Sequence, residues 1–153
     1  MRSAWPGPLA RFCSTFALIL AAACGPPEEL RPDERLQEEL GVSARTETHR
    51  VSLSGGRQES AQPAEVTVPP GALVEFVSTD SWVHEVLFEL DSLAAEARAF
   101  LEDSDQVASP PMVNRDARFV VSWEGAPAGR YPFVLRGSGE SARGAVVVSL
   151  EEG

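Results

Sequence analysis

From residue 50 onward the chain consists of short runs rich in valine and aromatic residues, and each run is ended by glycine, proline or polar residues. This rhythm is typical of an all-β sandwich or barrel, because short strands need tight turns between them. We predict seven strands in about one hundred residues, which favours a sandwich. They lie near His49 to Ser54, Ala64 to Val68, Leu73 to Ser78, Val83 to Glu89, Arg118 to Trp123, Arg130 to Arg136 and Ala145 to Leu150.

The alternation within these strands predicts which side chains point inward. Side chains two residues apart share a face of a strand. Tyr131, Phe133 and Leu135 therefore share one apolar face, and His84 lies on the same side of its strand as Val86. We expect these faces to meet in one common core.

Two segments have helical spacing instead. Asp91 to Asp103 places Leu93, Ala97, Phe100 and Leu101 on one side, with Asp91 or Ser92 as the cap, and predicts one short helix inserted between strands. A second helix of two turns is predicted over Asp33 to Leu40, where Gly41 ends it.

The first residues predict a targeting segment. Arg2 and Arg11 precede an apolar run, Thr15 to Ala23, that is too short to span a bilayer. The run ends in Leu-Ala-Ala-Ala-Cys24, which resembles a bacterial lipoprotein signal. This resemblance implies cleavage before Cys24 and lipid attachment to Cys24. Gly25 is not acidic, so we expect an anchor in the outer membrane facing the periplasm; the alternative is a plain secretory signal with an ordinary cysteine.

These boundaries predict a signal peptide over residues 1–23, an acidic tether over 24–48 and one folded domain over 49–151. Loss of Arg2 and Arg11 with the signal leaves 11 basic and 23 acidic residues, a net charge of −12. Such a chain repels nucleic acid. Cys24 is then the single remaining cysteine, so no internal disulfide can form.

Three segments together resemble the plastocyanin and azurin family of cupredoxins. Val66 to Phe76 resembles the early paired strands of that family, and Trp82 to Phe88 resembles the strand that carries its first copper histidine. Gly129 to Val148 resembles its closing strand, ligand loop and final strand. The resemblance implies a Greek-key β-sandwich over roughly residues 50 to 150.

The same resemblance implies that the copper site is lost. The position of the family's cysteine is Leu135, that of its second histidine is Ser138 and that of its methionine is Ala142, so only His84 matches a ligand. A type 1 site needs two imidazoles and a thiolate. We therefore expect no cofactor and no catalysis, and interpret the chain as a binding or structural module of the cell envelope with an unidentified envelope protein or ligand as partner.

Alternatives remain for the residues near His84. A copper(I) site made of His84, His49 and Met112 would allow a copper-binding electron carrier or copper-handling protein with a non-standard ligand set. His84 could also be a proton switch, but a histidine that faces inward is more often hydrogen-bonded within the fold, and backbone groups are the expected partners here. Trp82, His84 and Met112 form the candidate contact surface.

Overall fold

This computed structural model describes residues 25–150 of the chain. They contain eight strands and two short α-helices. All seven predicted strands are present, and the additional one is a strand of three residues, too short to show an alternation. The expected signal peptide and Cys24 lie outside the described residues. The strands are β1 (Thr48–Ser54), β2 (Ser60–Gln62), β3 (Glu65–Val68), β4 (Leu73–Ser78), β5 (His84–Phe88), β6 (Arg118–Ser122), β7 (Gly129–Gly137) and β8 (Ala142–Val148), and the helices are α1 (Glu34–Leu40) and α2 (Ala95–Asp103).

The strands form two sheets of four. The first has the order β2-β1-β4-β6 and the second β3-β8-β7-β5. The pairs β1–β4 and β3–β8 are parallel, whereas all other neighbours are antiparallel. The chain crosses from one sheet to the other in each of the connections β4–β5, β5–β6 and β6–β7. The two sheets lie face to face. The predicted all-β sandwich with a short inserted helix is therefore confirmed.

The core lies between the sheets, where the alternation placed it. Tyr131, Phe133 and Leu135 are fully buried, and the ring of Phe76 contacts that of Phe133 edge-on at 5.1 Å between centroids. Burial of each large apolar side chain stabilises the fold by about 1.5–3 kcal/mol. The strand pattern and the core thus agree.

Helix α2 covers one end of the sandwich. Phe100 stacks on Trp123, which follows β6, with 5.9 Å between ring centroids, and Leu101 is fully buried. The helix begins later than predicted, because a 3₁₀ turn occupies Leu90–Ser92 and Ala94 stands at the N-cap without a side-chain hydrogen bond. The predicted cap at Asp91 or Ser92 is therefore wrong.

Helix α1 packs on the outer face of the first sheet. Its predicted start and end are confirmed: Asp33 accepts a hydrogen bond from the Leu36 N–H at 2.8 Å, and Gly41 ends the helix at φ 64°. Leu36 is 1% exposed, and the Asp33 carboxylate lies 2.8 Å from the Arg118 guanidinium on β6. Residues 33–40 are therefore docked on the sandwich, which corrects the interpretation of this stretch as part of a tether.

No helix among residues 25–150 is both long enough and apolar enough to cross a membrane.

Candidate functional site

The positions implied by the cupredoxin resemblance meet at the end of the sandwich opposite α2. Here β5 begins and β7 ends, since His84 pairs with Gly137. We call this the closing end, and residues 138–141 the closing loop. Leu135 pairs with Val86 on one side and Ala142 on the other, as neighbours in one sheet.

None of the three replaced positions provides a strong metal donor. Leu135 is fully buried and belongs to the hydrophobic core. Ala142 is partly buried and packs against the same core, whereas Ser138 is exposed in the closing loop. Hydrocarbon side chains supply no lone pair, and a type 1 copper ion depends on a thiolate.

His84 is completely buried, and both nitrogens of its ring are occupied. Nδ1 lies 2.7 Å from Oε2 of Glu59, and Nε2 lies 2.8 Å from Oδ1 of Asp80. Its backbone is fixed as well, because it exchanges two hydrogen bonds with Met112. The expectation of backbone partners for the ring is therefore wrong: both partners are carboxylates.

Glu59 is the residue of the site that the sequence did not reveal. It lies between β1 and β2, and its side chain is fully buried. Its backbone N–H donates to the carbonyl oxygen of Glu140 at 2.8 Å, and its Oε1 accepts from the Gly139 N–H at 3.3 Å. Glu59 thus joins the closing loop to His84.

Gly137 makes room for this carboxylate. A β-carbon at this position would overlap both Oε1 of Glu59 and the carbonyl oxygen of Val83. Overlap of that size forces neighbouring groups to move. The close approach of β7 to Glu59 therefore requires glycine.

Asp80 links the buried ring to solvent. Its carboxylate is 23% exposed and accepts hydrogen bonds from the N–H groups of Gly55 at 2.8 Å and Trp82 at 2.9 Å, besides the ring of His84. Burial acts to raise the pKa of Asp80, but these three hydrogen bonds outweigh burial and lower its pKa below the ordinary value. Asp80 is therefore ionised near neutral pH, and Nε2 of His84 donates to it.

The three side chains form a continuous line from the interior to the surface, which we call the Glu59–His84–Asp80 chain. Because each ring nitrogen already faces a carboxylate oxygen, neither presents a free lone pair to a metal ion. Among residues 25–150, no three His, Cys, Asp or Glu side chains are grouped in a way that would hold a metal. The residues present do not fit a type 1 copper ion.

The alternative set of His84, His49 and Met112 is not assembled either. His49 lies in β1 five residues before Ser54 at the closing end, which separates it from that end by roughly 16 Å of extended strand. Its Nε2 contacts Glu47 at 2.5 Å. Met112 is adjacent to His84 but is 3% exposed and belongs to the core.

Only one of the three candidate contact residues is exposed. Trp82 is 51% exposed, whereas the burial of His84 and Met112 removes both from any contact surface. Two other apolar side chains take their place: Val83 is 40% exposed and Val113 is 51% exposed. They lie side by side, since their chain neighbours His84 and Met112 pair with each other.

No model of a known protein family matches the sequence, and no curated protein matches it. Solved structures do match it. An oxidised mutant of amicyanin is 19% identical, with 67% of this chain and 82% of that chain covered and a TM-score of 0.45. A purple cupredoxin from Nitrosopumilus maritimus is 19% identical, with 66% and 99% covered and a TM-score of 0.41.

A copper-containing nitrite reductase from Thermus scotoductus is 18% identical, with 69% of this chain covered and a TM-score of 0.47. The match spans only 23% of that longer chain. All three TM-scores lie below 0.5, so these likenesses are distant. The likeness concerns the fold alone.

Proposed function

We propose that this chain is a cell-envelope lipoprotein whose domain is a copper-free, cupredoxin-like module acting in binding or assembly, without catalysis. One observation carries the proposal: at the closing end, both ring nitrogens of His84 are bound by carboxylates. The hydrocarbon of Leu135 at the position of the thiolate supports it further. Without a thiolate or free imidazole, rapid electron transfer through copper has no ligand set here.

The proposed contact surface is the apolar patch formed by the adjoining side chains of Val83 and Val113, with the exposed Trp82 at its edge. Exposed apolar side chains that adjoin one another are typical of surfaces that bind a protein. The patch is held in shape, because the Trp82 N–H is bound by Asp80 and the backbone hydrogen bonds between His84 and Met112 hold both valines in place. A rigid surface loses little conformational entropy on binding. The partner is a protein of the cell envelope.

A photo-reactive residue placed at Trp82 in the full chain tests this surface in intact cells. We expect one discrete cross-linked product, because the patch contacts a defined partner. The matched control is Leu40, which is 48% exposed on α1. Equal products at both positions, or none at Trp82, would contradict the contact surface.

The proposed anchor is lipid on Cys24, which the resemblance of the preceding residues supports. The test is metabolic labelling with a fatty acid, followed by separation of membranes. We expect labelled protein in the outer-membrane fraction and unlabelled protein after Cys24→Ser. Labelling that persists in the Cys24→Ser variant would refute the anchor.

Copper loading tests the central part of the proposal. The purified protein is incubated with Cu(II) or Cu(I), dialysed and analysed for metal, and we expect far less than one ion per chain. The positive control carries Leu135→Cys, Ser138→His, Ala142→Met and Glu59→Ala, and we expect it to gain copper and a blue colour. Tight stoichiometric copper in the wild type would instead favour a copper-binding carrier with a non-standard ligand set. A folded control variant that stays metal-free would contradict the assignment of ligand positions.

A further inference from the structure

The two hydrogen bonds of the His84 ring require two protons. A nitrogen and an oxygen at 2.7–2.8 Å repel each other through their lone pairs unless a proton lies between them. Asp80 is ionised, so Nε2 of the ring supplies the proton on that side. A neutral imidazole carries only one N–H. The contact with Glu59 therefore holds a second proton, shared by Nδ1 and Oε2.

Among the residues that the structure describes, no positive charge other than the His84 ring pairs with Glu59. Its carboxylate is fully buried, and within residues 25–150 its one ion-pair partner is the ring of His84. A buried carboxylate with no counter-charge is costly. The shared proton is what allows Glu59 to remain inside the closing end.

Other ionisable groups around the site are exposed or lie on the opposite face of β5. Arg57 and Glu140, on the two loops that enclose Glu59, are exposed, as are Arg115 and Asp116 beyond Met112. Two more belong to the paired strands: Arg136 on β7 is exposed, and Glu85 is partly buried next to His84 in β5. Consecutive side chains of a strand point to opposite faces, so Glu85 faces away from the His84 ring.

We infer that the closing end binds a proton where the cupredoxins that it resembles hold a metal, and that this proton fastens the closing loop to β5. The loop depends on Glu59 through the Gly139 N–H and through two backbone hydrogen bonds, Glu59 to Glu140 and Glu140 to Arg57. This inference rests on the proposed copper-free function, since a metal at Nδ1 would displace the proton.

The experiment compares nuclear magnetic resonance spectra of the wild-type protein and Glu59→Gln at pH 7. The glutamine amide can donate a hydrogen bond to Nδ1 without an additional proton. We expect the ring ¹⁵N shifts of His84 to show a proton at both nitrogens in the wild type and at Nε2 alone in Glu59→Gln. The same ring protonation in both proteins would overturn the inference.

If Glu59→Gln does not fold, the spectra of the wild type alone decide. Ring ¹⁵N shifts of His84 and the carboxyl ¹³C shift of Glu59 should reveal one shared proton. An ionised Glu59 beside a singly protonated ring would refute it. Metal analysis of the same sample separates the two proposals, because a metal-free protein without the shared proton contradicts this inference alone.

Discussion

Oε2 of Glu59 lies 2.7 Å from Nδ1 of His84, and both side chains are completely buried. Two residues 25 positions apart in the chain thus meet inside one end of the sandwich. The contact ties the loop after β1 to β5, and through Gly139 it reaches the closing loop. A hydrogen-bonded carboxylate therefore connects the elements that would have to surround a metal.

The first prediction concerns this contact. Glu59→Ala leaves Nδ1 of His84 without a partner and opens a cavity beneath the closing loop. We expect a loss of about 3–5 kcal/mol in the free energy of unfolding, the range found when one member of a buried pair is removed. Chemical denaturation near pH 7 measures it. The neighbouring exposed Glu140→Ala should remain within about 0.5 kcal/mol of wild type, and a similarly small effect of Glu59→Ala would contradict the role given to this residue.

The second prediction concerns the space beside Glu59. Gly137→Ala inserts a methyl group that overlaps Oε1 of Glu59 and the Val83 carbonyl oxygen. Overpacking of this kind costs about 1–3 kcal/mol. Thermal or chemical unfolding measures the loss, and Ser138→Ala, at the adjacent exposed position, is the matched control. An unchanged stability of Gly137→Ala would show that β7 does not approach Glu59 as closely as described.

The third prediction concerns acid. Because the pKa of Asp80 is lowered in the folded protein, the unfolded chain takes up a proton at this residue before the folded chain does. The contribution of Asp80 is thus complete above its ordinary pKa of 3.8 and is lost as the pH falls through the lower folded value. Between pH 6 and pH 3, the wild type should lose more stability than Asp80→Asn. Parallel curves would contradict this.

The fourth prediction concerns the docked helix α1. Arg118 binds Asp33 at 2.8 Å and lies 3.5 Å from the buried carboxylate of Glu75. Arg118→Met removes the link between α1 and β6. We expect a protease specific for glutamate to cut α1 roughly tenfold faster, equivalent to about 1.4 kcal/mol of lost docking energy.

Its control is Arg35→Met. Arg35 pairs with Glu39 on the exposed side of the same helix, at 2.7 Å, and 67% of its side chain is exposed. Cleavage of this variant should match the wild type. Equal rates for both variants would mean that the Asp33–Arg118 contact does not hold α1 in place.

Much of the fold could be predicted from the sequence, because alternation and turn residues report burial directly. The parity of Leu135 with Tyr131 and Phe133 predicts an interior position, and all three side chains are fully buried. The ends of α1 could also be predicted, because Asp33 and Gly41 have strong intrinsic preferences for helix ends.

The most important contact of the site could not be predicted in this way. Glu59 follows two glycines, an arginine and a glutamine, a polar run that is typical of a surface loop. Its burial depends on the closing loop, which is about 80 residues away in the chain. Local pattern carries no information on such a partner. The one weak signal in the sequence is the apolar Ala61, because side chains two residues apart in an extended segment share a face, and both Ala61 and Glu59 are buried.

The docking of α1 was missed for a similar reason. An acidic segment with few large apolar residues resembles a solvated linker. Leu36 is the buried side chain of α1. The partner of Asp33 is Arg118 on β6, far away in the sequence. Charge patterning within the segment did not reveal that distant arginine.

The most direct test of the central claim is the metal content of the native, untagged protein purified from its own cells without chelators. The account predicts no bound copper above the background of a mock purification. One firmly held copper ion per chain would contradict it, because such an ion would need a ring nitrogen of His84 that Glu59 or Asp80 now occupies.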